Sequence, residues 1–193
     1  MITHIEGKLT EKNPTDVIID CNGVGYFLNI SLHTYSQIPD SEKLKLYTHF
    51  QVKEDSQTLY GFASRAEREI FRLLISVSGI GASTARTMLS SLTPEQVKEA
   101  IAREEVAVIQ SVKGIGLKTA QRVIIDLKDK ILKVHQFDDS VLFSGNTNRE
   151  EALSALEVLG FTKKQSERVV EKIVSEDRDA SVEVIIKEAL KNL

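Results

Sequence analysis

Two stretches of this chain carry the same potential chemistry. "SGIGASTARTML" sets Gly79-Ile80-Gly81 ahead of Thr84 and Ala85, and "KGIGLKTAQRVI" sets Gly114-Ile115-Gly116 ahead of Thr119 and Ala120, 35 residues later. A Gly-x-Gly turn at the head of a helix presents several backbone N–H groups on one edge, because glycine accepts the left-handed conformation and has no Cβ to obstruct an approaching group. The helix dipole adds partial positive charge there, so each edge is suited to an anion. Ile80 and Ile115, between the glycines, are expected to plug the core and hold each turn rigid.

The anion is unlike a nucleoside triphosphate, since neither turn follows a strand pattern and neither has the Gly-x-x-x-x-Gly-Lys-Ser/Thr spacing. Nucleic-acid backbone fits better. Two equivalent donor edges can hold successive phosphates, Ser83, Thr84 and Thr119 lie in the same first turns, and Lys113, Lys118 and Arg122 add counter-charge. Contacts of this kind carry no base-sequence information. One such turn between helices is often only a loop, but two copies in register read as a pair of helix-hairpin-helix motifs.

Little else in the chain suggests chemistry. The single cysteine, Cys21, excludes an internal disulfide and sits in the apolar run "DVIIDCNG" as a small core residue; the four histidines never fall at metal-ligand spacing. No metal, no cofactor and no nucleophile-base constellation is expected, and hence no catalysis. No apolar run approaches the ~18 residues of a membrane span, and "MITHIEGKLTEK" lacks the basic-then-apolar order of a signal peptide. The expectation is a cytoplasmic protein.

The elements that position the twin turns follow from pattern and charge. The 193 residues have a net charge of −3, yet residues 1–63 carry −3, residues 64–134 carry +4 and residues 135–193 carry −4, so the basic third is the one holding both turns. In residues 1–63, "TDVIID" and "GYFLNI" flank Asn22-Gly23, a tight hairpin signal, while "KLKLYTHFQV" and "QTLYGF" flank a polar turn at Lys53 to Ser56. Short strands with regular turns suggest a small barrel. At Ser64 the period becomes helical: Ser64-Arg65-Ala66-Glu67 fits a capping box, and Ile70, Phe71, Leu74 and Val77 predict a helix over about 65–77. Thr93-Pro94-Glu95-Gln96 opens another, which makes residues 64–133 an all-helical domain. Residues 134–148 have no period and read as a flexible linker; residues 149–193 read as a three-helix bundle. The bundle is too acidic for phosphate. Leu153, Leu156, Leu159, Ile185, Ile186 and Leu190 supply more apolar side chains than so small a core easily buries, which points to a protein partner, with an all-core role the plain alternative.

With strands, paired hairpins, a linker and a bundle in this order, the whole chain resembles the RuvA family, the Holliday-junction-binding subunits of the RuvAB branch-migration machine. The telling residues are "THFQVKEDSQTLYGF" (Thr48 to Phe62), "REEVAVIQSVKGIGLKTAQRVI" (Arg103 to Ile124) and "EALSALEVLGF" (Glu151 to Phe161). The resemblance implies an α+β multidomain protein: an N-terminal OB-fold-like β-barrel, a helical domain with two helix-hairpin-helix motifs and a C-terminal three-helix UBA-like bundle. It further implies a homotetramer, single or stacked as an octamer, that holds a four-way junction open and square-planar in recombination, DNA repair and the SOS response to DNA damage. The family's acidic pin falls on Glu54 and Asp55, two carboxylates that sequence alone would leave as solvated surface. The bundle, Phe161 included, would bind the hexameric ATPase RuvB, and the resolvase RuvC is a further implied partner. Ala82-Ser83 stands where relatives often carry Pro-Lys, which throws the first hairpin onto its backbone donors; Lys113 and Leu117 replace a frequent Pro and Lys in the second.

Two other readings compete. A helix-hairpin-helix DNA glycosylase needs a catalytic Asp beyond the hairpin and a base pocket; Asp126 reads as a helix-surface acid, and Asp138 and Asp139 fall in the linker-like segment. A nuclease accessory domain accounts for the hairpins but not for a barrel with an acidic tip.

Overall fold

Asp16–Cys21 (β2) and Val24–Ile30 (β3) run antiparallel around Asn22-Gly23, with Cys21 opposite Val24. Upstream, His4–Lys12 (β1) pairs with β2, its register shifting between Leu9 and Glu11. Downstream, Lys43–Val52 (β4) leads into Gln57–Phe62 (β5) through a turn closed by the Lys53 N–H donating to the Ser56 carbonyl at 2.8 Å. Alternation along these strands turns Val17, Ile19, Leu28, Ile30, Leu44 and Leu46 inward. Two long-range pairings then complete the sheet: β1 lies antiparallel to β4, and β3 parallel to β5, giving a closed OB-fold-like barrel in the order β1-β2-β3-β5-β4. A short helix that the sequence pattern does not announce, Leu32–Gln37 (α1), bridges β3 and β4 and is capped by the Ser31 hydroxyl.

Helices follow. Arg65–Ile75 (α2) starts on Ser64 and stops two residues short of the expected end, because Ser76 and Val77 already fold into the first glycine turn. Ala82–Ser91 (α3), Pro94–Ala102 (α4), Val106–Gln110 (α5) and Leu117–Ile131 (α6) complete the group, α4 with both halves of its capping box formed. Phe71, Leu74, Met88, Leu89, Ile101, Ile109 and Leu127 fill its core. Thr147–Val158 (α7), Lys163–Glu176 (α8) and Val182–Asn192 (α9) enclose a third, smaller core of Ala152, Leu156, Val170, Ile185 and Ala189.

The structure, a computed structural model, describes residues 1–39, 41–131, 147–177 and 180–193. It forms two compact units, Met1–Asp139 and Ser140–Leu193. Of the expected linker 134–148, residues 134–146 lie outside the described residues, and Thr147 and Asn148 belong to the first turn of α7 instead. Among the described residues no helix is long and apolar enough to cross a membrane.

The first unit joins two cores across one seam. Phe71 of α2, fully buried, packs its ring 4.9 Å from Phe62, 5.1 Å from Tyr60 and 5.4 Å from His49, measured between centroids, so one aromatic side chain of the helices meets both β4 and β5. Burial, and then the Arg72 and Arg68 charges, pushes the His49 imidazole down, so at neutral pH it meets this seam as an uncharged ring. Truncating so large a core ring costs about 3–5 kcal/mol. Phe71→Ala should therefore lower the urea midpoint by that equivalent, and Phe71→Leu by visibly less; equal midpoints for parent and Phe71→Ala would show that the seam is not a packed core.

Candidate nucleic-acid interface

The two glycine turns are built alike to the last hydrogen bond. After α2, Gly79 takes φ of 96°, Ile80 donates its N–H to the Val77 carbonyl at 3.0 Å, and Gly81 starts α3 by accepting from the Ala85 N–H at 2.9 Å. After α5, Gly114 takes φ of 91°, Ile115 donates to Val112 at 3.1 Å, and Gly116 accepts from Ala120 at 2.9 Å. Ile80 and Ile115 are both buried in the helical core, as their place between the glycines leads one to expect. Ala85 and Ala120 are fully buried beneath the turns.

What α3 and α6 have in common is a start on glycine, Gly81 and Gly116. Ser31, Ser64, Thr93 and Ser181 each turn a hydroxyl onto the N–H groups of α1, α2, α4 and α9. Gly81 offers α3 no side chain, and Gly116 can offer α6 none. Neither first turn contains an acidic residue, whereas those of α2, α4 and α9 hold Glu67, Glu95 and Glu183; α5 and α8 also start without a side-chain cap or a first-turn acid, but on Glu105 and Thr162 rather than on glycine. A Cβ placed on Gly81 or Gly116 would meet nothing within 4 Å. Both helix starts thus present bare donors and the positive dipole end to open space, with an outside anion free to complete them.

The turns also lie side by side. A Cβ on Gly79 would stand 3.8 Å from the Thr119 side chain, and Arg122 Nη1 donates to the Ser78 carbonyl at 3.4 Å. Arg122 therefore bridges one hairpin to the other as well as adding charge. Lys113, Lys118 and Ser83 are exposed, Thr84 and Thr119 half-buried, and neither lysine makes an ion pair among the described residues. Leu117, 51% exposed at the start of α6, is an apolar neighbour that the sequence reading did not place in the site.

Glu54 and Asp55 sit elsewhere, exposed in the β4–β5 turn, where Asp55 accepts from the Ser56 hydroxyl at 3.3 Å. Asp126 is exposed on α6; Asp138 and Asp139 lie outside the described residues. No group of three His, Cys, Asp or Glu that could hold a metal occurs among the described residues.

The bundle requires a correction. Leu153, Leu156 and Ile185, expected on a partner surface, are buried in the bundle's own core, and Phe161 and Ile186 pack half-buried against it. Three short helices can form a core only by turning their central apolar positions inward. Leu159 and Leu190 do stand out at 57% and 46% exposed, and Val158 and Val184, which the sequence reading passed over, join them at 85% and 46%. Glu151, Ser154, Ala155, Val158 and Leu159 line a shallow depression on α7 and its C-terminal end. Their signal was present as apolar residues off the core period, next to Gly160.

The two glycines of each turn should behave oppositely. A side chain forced into the left-handed region costs about 1–2 kcal/mol. Gly79→Ala and Gly114→Ala should lower the melting temperature, while Gly81→Ala and Gly116→Ala, in open space without positive φ, should leave it unchanged. Loss of stability in all four alike would mean that the second glycines are structural and that their bareness serves no ligand.

Comparison with known proteins agrees with this architecture segment by segment. Residues 1–61 match the RuvA N terminal domain, residues 71–129 the SAM-like helix-hairpin-helix tandem, and residues 147–193 the RuvA C-terminal domain. Among proteins similar over their whole length, the Holliday junction branch migration complex subunit RuvA of Christiangramia forsetii is 67% identical across 193 residues, and that of Flavobacterium psychrophilum 63%, each alignment covering both chains completely. The subunit of the same name from Cytophaga hutchinsonii is 51% identical over 197 aligned positions, with 99% of either chain covered. A barrel, twin hairpins and a terminal bundle in this order, at such identity from end to end, establish that the chain belongs to the RuvA family.

Proposed function

We propose that the chain binds four-way DNA junctions through backbone phosphates, without sequence preference, and brings a RuvB-type ATPase motor to them. The observation that carries this reading is the pair of adjacent, identically built helix starts, uncapped, free of acid and open to solvent. Bare N–H groups bind phosphate oxygens and cannot read base edges, so affinity comes without sequence information. Lys113, Lys118 and Arg122 add charge around the donors. The chain performs no covalent step in this reading; ATP hydrolysis belongs to the motor.

Four arms of a junction suit four copies of such a chain. In a homotetramer, whether single or doubled to an octamer, each copy grips one arm with its hairpins and directs Glu54 and Asp55 to the crossing point. There, carboxylates repel phosphates and favour strands that part, holding the junction open and square-planar. The bundle serves the motor: its segment is acidic overall, which disfavours DNA, and Val158, Leu159, Val184 and Leu190 offer apolar surface. RuvC remains a further partner of the assembled junction in this scheme.

A titration of one four-way junction against linear duplex of the same sequence, over a range of salt, tests the reading. Tighter junction binding that weakens steeply with salt is expected; equal affinity for both DNAs overturns it. Gly116→Val should weaken binding of both by about ten-fold or more, and the pair Glu54→Gln with Asp55→Asn should bind duplex better than the parent and lose selectivity. Deleting residues 147–193 separates the second role: junction binding should persist, while branch migration of a synthetic junction with RuvB and ATP should fail. Migration at the parental rate would remove the motor-docking role from the bundle.

A further inference from the structure

Glu67 is the only buried carboxylate among the described residues, and it does not do what its position in α2 suggests. Three residues past Ser64, it should fold back on that residue's N–H to complete a capping box. Half the box forms: the Glu67 N–H donates to Ser64 Oγ at 3.1 Å. The carboxylate instead accepts from Ser31 Oγ at 2.5 Å and from Thr34 Oγ1 at 2.6 Å, residues more than thirty positions earlier that begin α1 on the barrel.

Backbone donors close the network from outside. Ser31 Oγ accepts the Thr34 N–H at 3.0 Å, and Thr34 Oγ1 accepts the Ala63 N–H at 3.1 Å, so each hydroxyl has its one proton to give to Glu67. Burial pushes the carboxyl up, and the Ser31 and Thr34 hydroxyls pull it back. Three chain segments thus meet on one carboxylate: the start of α1, the exit from β5 at Ala63, and the first turn of α2.

Other ties cross the same boundary but constrain it less. Phe71 adheres through apolar contact, which has no preferred direction. Arg86 donates to Asn29 Oδ1 at 2.8 Å and Arg68 to the Thr3 carbonyl at 2.9 Å, both within reach of water that can replace either partner. A rotation of the helices against the barrel would leave Glu67 buried without donors, and that is expensive.

We propose that Glu67 is a positioning residue that fixes the orientation of the barrel against the helical hairpins, and through it the spacing from the Glu54-Asp55 tip to the two glycine turns. The geometric part stands alone; the consequence for DNA rests on the junction-binding reading. The fixed spacing matters to a junction, which engages tip and hairpins together, and not to linear duplex, which needs the hairpins only.

The test uses the full chain in two measurements. Spin labels at Ser56→Cys and Gln110→Cys, in a Cys21→Ser background diluted with unlabelled protein, report the tip-to-helix distance. The parent should give a narrow distribution. Glu67→Ala should broaden it, as should Thr34→Val, which keeps the shape but removes the hydroxyl; Thr34→Ser should restore it. In parallel, the junction-over-duplex affinity ratio should fall about ten-fold in Glu67→Ala and Thr34→Val, with duplex affinity held within about two-fold. A folded Glu67→Ala with an unbroadened distribution overturns the proposal, and so does Thr34→Ser behaving like Thr34→Val, or junction and duplex binding falling together. Should Glu67→Ala fail to fold, the Val and Ser variants at Thr34 decide. If the parent itself shows no junction preference, the functional reading falls, while the distance measurement still judges Glu67.

Discussion

The contact of Phe71 with Phe62, Tyr60 and His49 is the constraint on which the rest of the first unit depends. On one side of it lies a barrel whose exposed turn carries two carboxylates, on the other a helical core that carries two bare helix starts, the second flanked by Lys113 and Lys118. Charges on separate elements act together only if their separation is fixed, because in salt their influence fades over about 10 Å. An aromatic seam supplies adhesion, and the buried Glu67 network supplies direction. Neither could replace the other: apolar contact slides, and a hydrogen-bonded carboxylate without surrounding burial would exchange its donors for water.

The helical core is in turn organised around what the glycine turns withhold. A serine at position 81 or 116 would cap its helix as Ser64 and Thr93 cap theirs, gaining stability and closing the donors to any outside group. The chain forgoes that gain twice, at equivalent places, while it anchors each turn with a buried isoleucine. Doubling also reconciles the acidic net charge with the proposed binding of DNA. Net charge describes the whole surface, but phosphate responds to the local field of two dipole ends and a few uncompensated lysines.

Legibility in the sequence follows range. The twin turns, the Asn22-Gly23 hairpin, the turn at Lys53 to Ser56 and the Thr93 capping box were readable, since each is decided by residues within a few positions of one another. The antiparallel β1–β4 and parallel β3–β5 pairings that close the barrel were not, because no local pattern specifies a partner 30 or more residues away. Glu67 shows the limit sharply: its spacing from Ser64 announces a cap, and only the fold brings Ser31 and Thr34 to outbid that role. Six-residue α1 is too short for a helical period to emerge. In the bundle the period was visible but not its phase, so the sequence left Leu156 and Ile185 open between partner surface and core, and the fold buries both.

That phase has its own consequence. A three-helix core of this size is filled largely by small and medium side chains, Ala152, Leu156, Val170, Ala180, Ile185 and Ala189, and leaves Val158, Leu159, Val184 and Leu190 at its surface. Small domains bury a smaller share of their apolar surface, and every exposed valine or leucine is one that the core did not use. Val158 and Leu159 directly precede Gly160, whose positive φ ends α7, so they project where the helix stops and cannot be drawn inward by a further turn. Exposed apolar side chains on an acidic segment are chemically the opposite of the glycine turns, since acidic surface disfavours phosphate. The two compact units therefore differ in surface chemistry, with the bare glycine-turn donors in the first and these exposed apolar side chains in the second.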